Sequence, residues 1–220
     1  MTVKTTELFD LSHTLASELF GKYEYPWQVL GELGNFILTL GNSLDPERFD
    51  NIKPNVWVAK TAKIYPSALI EAPCIIGENT EVRHCAFIRG KAIIGDNCVV
   101  GNSTEIKNSI IFDNVQIPHY NYVGDSVLGY KSHMGAGSIT SNVKSDKTNI
   151  SVFLSGGSTP TGLRKMGAMI GDFTEIGCNT VLCPGSIVGQ NCIIYPLSRV
   201  RGTIPQNSIF KSENNITEKL

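Results

Sequence analysis

The 220-residue chain has no charge excess of either sign: 19 basic and 20 acidic side chains leave a formal charge of −1. A nucleic-acid partner, which demands a basic face, is therefore not expected. Long apolar runs are also missing. No segment approaches the ~18 apolar residues of a bilayer span, so no membrane partner is expected. The opening MTVKTTELFD carries acids where a secretory leader has an apolar core. The six cysteines include no CxxC pair, and Cys74, Cys98 and Cys192 occupy positions where parallel stretches have Ala or Thr. They read as reduced, packed thiols of a cytoplasmic protein rather than disulfides or metal ligands.

What is present is a beat of six. An aliphatic residue returns at Val58, Ile64, Ile70, Ile76, Val82, Ile88, Ile94, Val100 and Ile106, then again at Ile170, Ile176, Leu182, Val188, Ile194 and Val200. In a chain that is 41% hydrophobic this regularity arises by chance on the order of once in a million tries. Four residues after each aliphatic stands a small one, such as Ala68, Thr80, Ala92, Thr104 or Thr174. A period of six suits neither a helix nor a lone amphipathic strand. It suits an all-β hexapeptide solenoid, a parallel β-helix in which three hexapeptides make one triangular coil. Residues eighteen apart then become neighbours at about 4.8 Å, the spacing of strands in any sheet.

The beat slips to five between Ile106 and Ile111, slips again between Val123 and Leu128, and breaks after Met134. Residues 140–168 hold no repeat and are expected to form a functional loop insertion. Residues 1–50 lack the beat; Trp27, Leu30, Leu33, Ile37 and Leu40 have helical spacing, with Pro26 at the start and Gly41 past the end. The expected organisation is a short helical N-terminal cap over 1–50, shielding the first coil's edge. The solenoid with its loop follows over 51–205, then a frayed tail over 206–220.

Arg89 and Lys107 are eighteen apart, each one residue after its core aliphatic, so both point outward as neighbouring cations. Such a pair repels unless an anion shares it, and phosphate suits an Arg fork beside a Lys point charge; a solvated basic face is the plainer alternative. His119 is a candidate general base, since an imidazole titrates near neutral pH. His84 and His119 share a slot two coils apart, too far to ligate one metal within a subunit. Gly135 and Gly137, in GAGSITSN, permit close backbone approach to a ligand.

Together, Gly101-Asn102…Glu105-x-Lys107, His119-x-x-Tyr122-x-Gly124-Asp125 and Gly135-Ala136-Gly137-x-Ile139-Thr140-x-Asn142 resemble one family. It is the acetyltransferase domain of bifunctional glucosamine-1-phosphate acetyltransferase/UDP-N-acetylglucosamine pyrophosphorylase. The resemblance implies a left-handed β-helix, a homotrimer, acetyl-CoA as co-substrate with no metal needed, and an amino-sugar phosphate acceptor. By position, His119 matches the catalytic base, Arg89 and Lys107 the phosphate grip, and Tyr122 its helper. Asn142 matches a residue near base and acetyl-CoA, and Ala136 lies in the pantetheine-contacting segment. Cys178 and Pro196 fall where late coils touch acetyl-CoA, and Glu105 is a plausible partner orienting His119. Backbone N–H groups around Gly135–Gly137 are expected to stabilise the oxyanion.

Three departures stand out: His133 replaces a sugar-contacting asparagine, Val143 replaces an aromatic, and Lys147 aligns with the loop lysine only after a one-residue deletion. Arg164–Asp172 looks more like archaeal sugar-phosphate nucleotidylyltransferase relatives. Fifty helical residues leave no room for a pyrophosphorylase sheet, so no uridylyl transfer is expected. A zinc hydratase resembling γ-class carbonic anhydrase would need a histidine where Gly124 stands. The remaining alternatives are an N-acyltransferase acting on a nucleotide-linked amino sugar and a non-catalytic scaffold.

Overall fold

The computed structural model describes residues 3–154 and 156–219. From Val56 the chain winds as a parallel β-helix with three flat sheets. The first sheet stacks Val56–Ala59, Cys74–Ile76, Ala92–Ile94, Ser109–Ile111, Val127–Leu128, Ala168–Ile170, Ser186–Val188 and Thr203–Ile204. The second runs from Lys63–Ile64 to Ser208–Ser212, and the third from Leu69–Ile70 to Arg199–Val200. The strands are short because a left-handed backbone residue turns the chain at each corner. Asparagine fills many of these positions, among them Asn79, Asn97, Asn114, Asn179 and Asn191, since its short amide tolerates positive φ.

The aliphatic series points inward as its period predicts, with Ile76, Ile94, Ile111, Leu128 and Ile170 fully buried. Small-slot threonines are satisfied inside: Thr80 Oγ1 donates to the Gly95 carbonyl at 2.7 Å and Thr174 Oγ1 to Gly189 at 2.9 Å. The five-residue slip makes one coil a residue shorter. Ser109 accordingly aligns with Ala92 and Tyr122 with Glu105, seventeen residues apart rather than eighteen.

The N-terminal segment differs from the expected cap. The apolar series reads as one helix but forms a 3₁₀ helix at Pro26–Gly31 and an α-helix at Leu33–Ser43. Gly41 lies inside that α-helix, not beyond it, and is glycine there because a Cβ would run into the Trp57 ring. The segment does not sit on the end of the solenoid. It runs lengthwise over the outer side of the first sheet, from Trp57 and Lys91 beside Leu33–Ser43 to Asp172 beside Leu8 and Asp10. Underneath, the outward residues Trp57, Ile75, Ile93, Ile110, Val127 and Met169 are all buried. Phe112 packs against Phe9 and Phe20 at 5.1 and 5.6 Å, and His13 stacks on Tyr130 at 3.6 Å.

The edges are closed by strands instead. Phe49–Lys53 pairs antiparallel with the first coil, and Asn215–Glu218 pairs antiparallel with Ser208–Ser212 in the last. The expected frayed tail is thus a hairpin, since an unpaired terminal edge would otherwise expose a row of backbone groups.

The interrupted region leaves after Thr140, forms an antiparallel hairpin of Ser151–Leu154 with Gly157–Pro160, and returns at Met166–Gly167. Its ends are stapled: Met166 N–H donates to the Asn142 carbonyl at 3.0 Å and Gly167 N–H to Asp125 at 2.8 Å. The first hairpin strand lies on Ser186–Val188 and Thr203–Ile204, so this part rests on the chain's own last coils. Among the described residues no helix is long and apolar enough to cross a membrane.

Candidate active site

The expected site residues fall into three groups. The first lines the corner between the second and third sheets. Gln116 aligns with His133, His133 with Glu175, and Glu175 with Ile193. Three residues further on, His119, Ala136, Cys178 and Pro196 therefore form a single column. Backbone bonds run alongside it: Gly137 N–H donates to His119 at 3.0 Å, Asn179 N–H to Ala136 at 2.8 Å, and Leu197 N–H to Cys178 at 2.9 Å. Three coil steps span about 14 Å at the strand spacing, a straight track beside which an extended ligand can lie.

His119 is exposed, and among the described residues nothing bonds its ring. Its backbone is held instead. The His119 N–H donates to Asn121 Oδ1 at 3.0 Å, and the buried Asn121 amide donates in turn to the Gly135 carbonyl at 2.8 Å and to Ser138 Oγ at 3.1 Å. The motif reading passed over Asn121. Its signal was available: an amide occupies the inward slot, where the repeat otherwise takes Ala, Cys, Ser, Thr or, at position 115, Val.

Glu105 does not orient His119. It lies on the third sheet, aligned with Phe87 and Tyr122, and accepts from Arg89 Nη1 at 2.7 Å. That bond, and the Glu105 charge behind it, hold the Arg89 guanidinium above its usual range. The physical reason is local: Arg89, not the imidazole, is the nearest charge on the same sheet.

The third group gathers at the far edge of the third sheet around buried Asp125. Its carboxylate accepts from Asn108 Nδ2 at 2.7 Å, from Lys107 Nζ at 3.3 Å and from Asn142 Nδ2. Asn142 Nδ2 also donates to the Tyr122 hydroxyl at 3.1 Å. Burial, then the charges of Asp125 and Glu105, push the Tyr122 phenol above its usual range. The two outward cations are thus neighbours as expected, and the anions sharing them are the chain's own Glu105 and Asp125. Asp125 was quoted in the motif without a role; a carboxylate seventeen residues after Asn108 and beside Lys107 was the signal.

His133 stands apart on the second sheet, with Nδ1 2.8 Å from Glu175 Oε2. His84 Nδ1 lies 2.7 Å from Ser67 Oγ. No group of three His, Cys, Asp or Glu side chains among the described residues converges to hold a metal. Burial pushes the Cys74 and Cys98 thiols up to about 12 and raises Cys192 as well. The glycine run gives only part of what was expected. The Gly135 and Gly137 N–H groups are taken by the Ile176 and His119 carbonyls. The Ala136 N–H, on the column, has no partner among the described residues.

The coils carry a histidine and an unpaired N–H on one corner, and family comparison makes them those of a hexapeptide-repeat transferase. The bacterial transferase hexapeptide model (six repeats) matches residues 167–202 and fits a left-handed coil, and the GMPPB C-terminal domain model matches residues 70–154. More particularly, the chain is a homologue of bifunctional sugar-1-phosphate nucleotidylyltransferase/acetyltransferases. The Sulfurisphaera tokodaii protein of that name is 30% identical over 200 residues, covering 86% of this chain and 50% of the relative. A Methanococcus maripaludis bifunctional protein GlmU is 33% identical over 199 residues, covering 89% and 48%. The chain therefore spans about half the length of these relatives. Among solved structures, UDP-N-acetylglucosamine O-acyltransferase from Moraxella catarrhalis superposes with a TM-score of 0.46 at 15% identity, covering 76% of this chain and 72% of that one.

Proposed function

We propose that this chain is an acetyl-CoA-dependent N-acetyltransferase that modifies an amino-sugar phosphate, glucosamine-1-phosphate first, and so supplies UDP-N-acetylglucosamine for cell-envelope precursors in the cytoplasm. The observation that carries the reading is the column of His119, Ala136, Cys178 and Pro196, with the Tyr122–Asn142–Asp125–Lys107 cluster across the same sheet.

An amino-sugar amine is mostly protonated at pH 7 and cannot attack a thioester until it loses a proton. His119 takes that proton as attack begins. The C–N bond forms at the acetyl carbonyl, the C–S bond breaks, the departing thiolate regains a proton from the imidazolium, and the second proton of the new amide nitrogen is released to solvent. In this reading the Ala136 N–H, which has no partner among the described residues, donates to the oxyanion. An acyl-enzyme is unnecessary, and the buried thiols of Cys74, Cys98 and Cys192 are held protonated. A phosphate arriving at Arg89 and Lys107 replaces or shares their single carboxylates, exchanging a monovalent partner for a more highly charged one.

The column lies on an open corner, which suits closure by a neighbouring subunit. Because the first sheet is covered by its own chain, a homotrimer is built through the second and third sheets. Thiol release from acetyl-CoA, measured with glucosamine-1-phosphate and a panel of other amino sugars, tests the reading. Turnover is expected with an amino-sugar phosphate. No release with any member of the panel sinks it.

A further inference from the structure

A cavity of about 520 Å³ lies between the interrupted region and the last coils, outside the groups described above. Its volume falls among ligand pockets, which run about 300–1,000 Å³. The walls bring three cations, Lys144, Arg199 and Arg201, against one carboxylate, Asp146, together with serine hydroxyls and the face of Phe153.

Arg201 is the distinctive member. Thr140 aligns with Leu182 and Leu182 with Val200, so Arg201 occupies the slot that Arg89 and Lys107 fill in earlier coils. Those two are neutralised by Glu105 and Asp125. Among the described residues no carboxylate lies within 4.0 Å of Arg201, whose guanidinium sits 5.6 Å over the Phe153 ring. Arg199 is paired with Glu213 at 3.0 Å, but both side chains are largely solvent-exposed, and such a pair is easily given up. Lys144 is held by Asp146 at 3.5 Å.

An aromatic face with a stacked guanidinium suits a flat base, and paired Arg forks with hydroxyls suit phosphate oxygens. We infer that this cavity binds the nucleoside-diphosphate end of one of the two reactants. The inference rests on the transfer reading and sharpens its alternative, an acceptor sugar that is nucleotide-linked. Two sources share the chemistry: a nucleotide carried by the sugar, and the nucleotide end of acetyl-CoA. Position favours the sugar. Ser141 lines the cavity and precedes Asn142, which bonds the Tyr122 hydroxyl, whereas the His119 column lies across the third sheet.

Calorimetric titration of the whole chain with UDP, with 3′,5′-ADP as the coenzyme's nucleotide, and with inorganic phosphate tests this without turnover. A nucleotide is expected to bind in a salt-sensitive way and more tightly than phosphate. Arg201→Ala should weaken it at least about tenfold, the loss of one charged hydrogen bond, while Arg201→Lys recovers part. UDP binding alone assigns the cavity to the acceptor, 3′,5′-ADP alone to the coenzyme, and both outcomes support a nucleotide pocket. It is overturned if neither nucleotide binds at millimolar concentration, or if both Arg201 variants bind like wild type with unchanged melting. Nucleotide binding without acetyl transfer would leave the pocket standing and remove only the transfer reading.

Discussion

The first sheet and the other two are built from the same repeat and meet the outside differently. On the first sheet, the residue before the core aliphatic is Trp57, Ile75, Ile93, Ile110, Val127, Met169 or Ile187, all buried, with half-buried Thr203 in the last coil breaking the pattern. The same slot on the second sheet holds Lys63, Glu81, Gln116, His133 and Glu175, none of them buried. On the third it holds Phe87, Glu105, Tyr122 and Arg199, likewise not fully buried. One face of the prism is therefore a second hydrophobic core, and the remaining two, with the corner between them, stay free for ligands and neighbours. Stability is concentrated on one side of the molecule and chemistry on the other.

Substitutions on the two sides should separate these roles. The largest effect is expected at the open corner: His119→Ala should lower kcat about 10²–10⁴-fold, flatten its acid limb, and leave melting and acetyl-CoA binding unchanged. Near-native turnover would place the base elsewhere, with His133 the next residue to replace. On the closed side, Phe112→Ala should cost about 3–5 kcal/mol in denaturant unfolding, against less than about 0.5 kcal/mol for Gln116→Ala on the second sheet. Equal losses would erase the distinction.

Acidity tests the same side. Burial raises the Asp172 carboxyl from 3.8 to about 6, against two backbone N–H bonds at 2.7 Å that favour its charge. The native state therefore binds the proton more readily than the unfolded chain. This group's contribution rises as pH falls from 7.5 through about 6 and levels off below 3.8. The gain is at most about 3 kcal/mol, and Asp172→Asn should lack it; identical pH profiles would deny the shift.

Smaller is Lys107→Ala, expected to raise KM for the acceptor ten- to 150-fold, equivalent to about 1.5–3 kcal/mol, with acetyl-CoA affinity unchanged. Unchanged kinetics there and in Arg89→Ala would return both to a solvated face. Gly41→Ala, whose new methyl meets Trp57, should cost about 1–3 kcal/mol; a melting temperature equal to wild type would mean the helix can retreat.

The coils, their slips and the interrupted region were legible because one large aliphatic in six, with a small residue four positions later, must point inward at every hexapeptide. The covered face was legible in principle, through every third hexapeptide's apolar neighbour to the core residue, but that pattern shows only after the hexapeptides are sorted by sheet. Helical spacing from Trp27 to Leu40 identified a packed surface without revealing the change of direction at Glu32, which tertiary contact imposes. At the site, the family resemblance named His119, Ala136, Cys178 and Pro196 one by one; that they share a column rests on the strand registers across the interrupted region, which no repeat in the sequence spans. The ion pairs were harder to foresee. Whether Glu105 serves Arg89 or His119 depends on which sheet each side chain leaves.

The bond from Asp10 N–H to Asp172 joins residues 162 apart in a chain whose coils otherwise touch only their immediate neighbours. A solenoid assembled solely from adjacent repeats can grow or melt one coil at a time. Here the first forty residues have no complete seat until Asp172 has left the ribosome, about 8–30 s later at ordinary rates of synthesis. During that interval the apolar outer face of the early coils is bare. Docking then links the first coil to the sixth in one event, so a protein of repeating units should unfold as a single cooperative body.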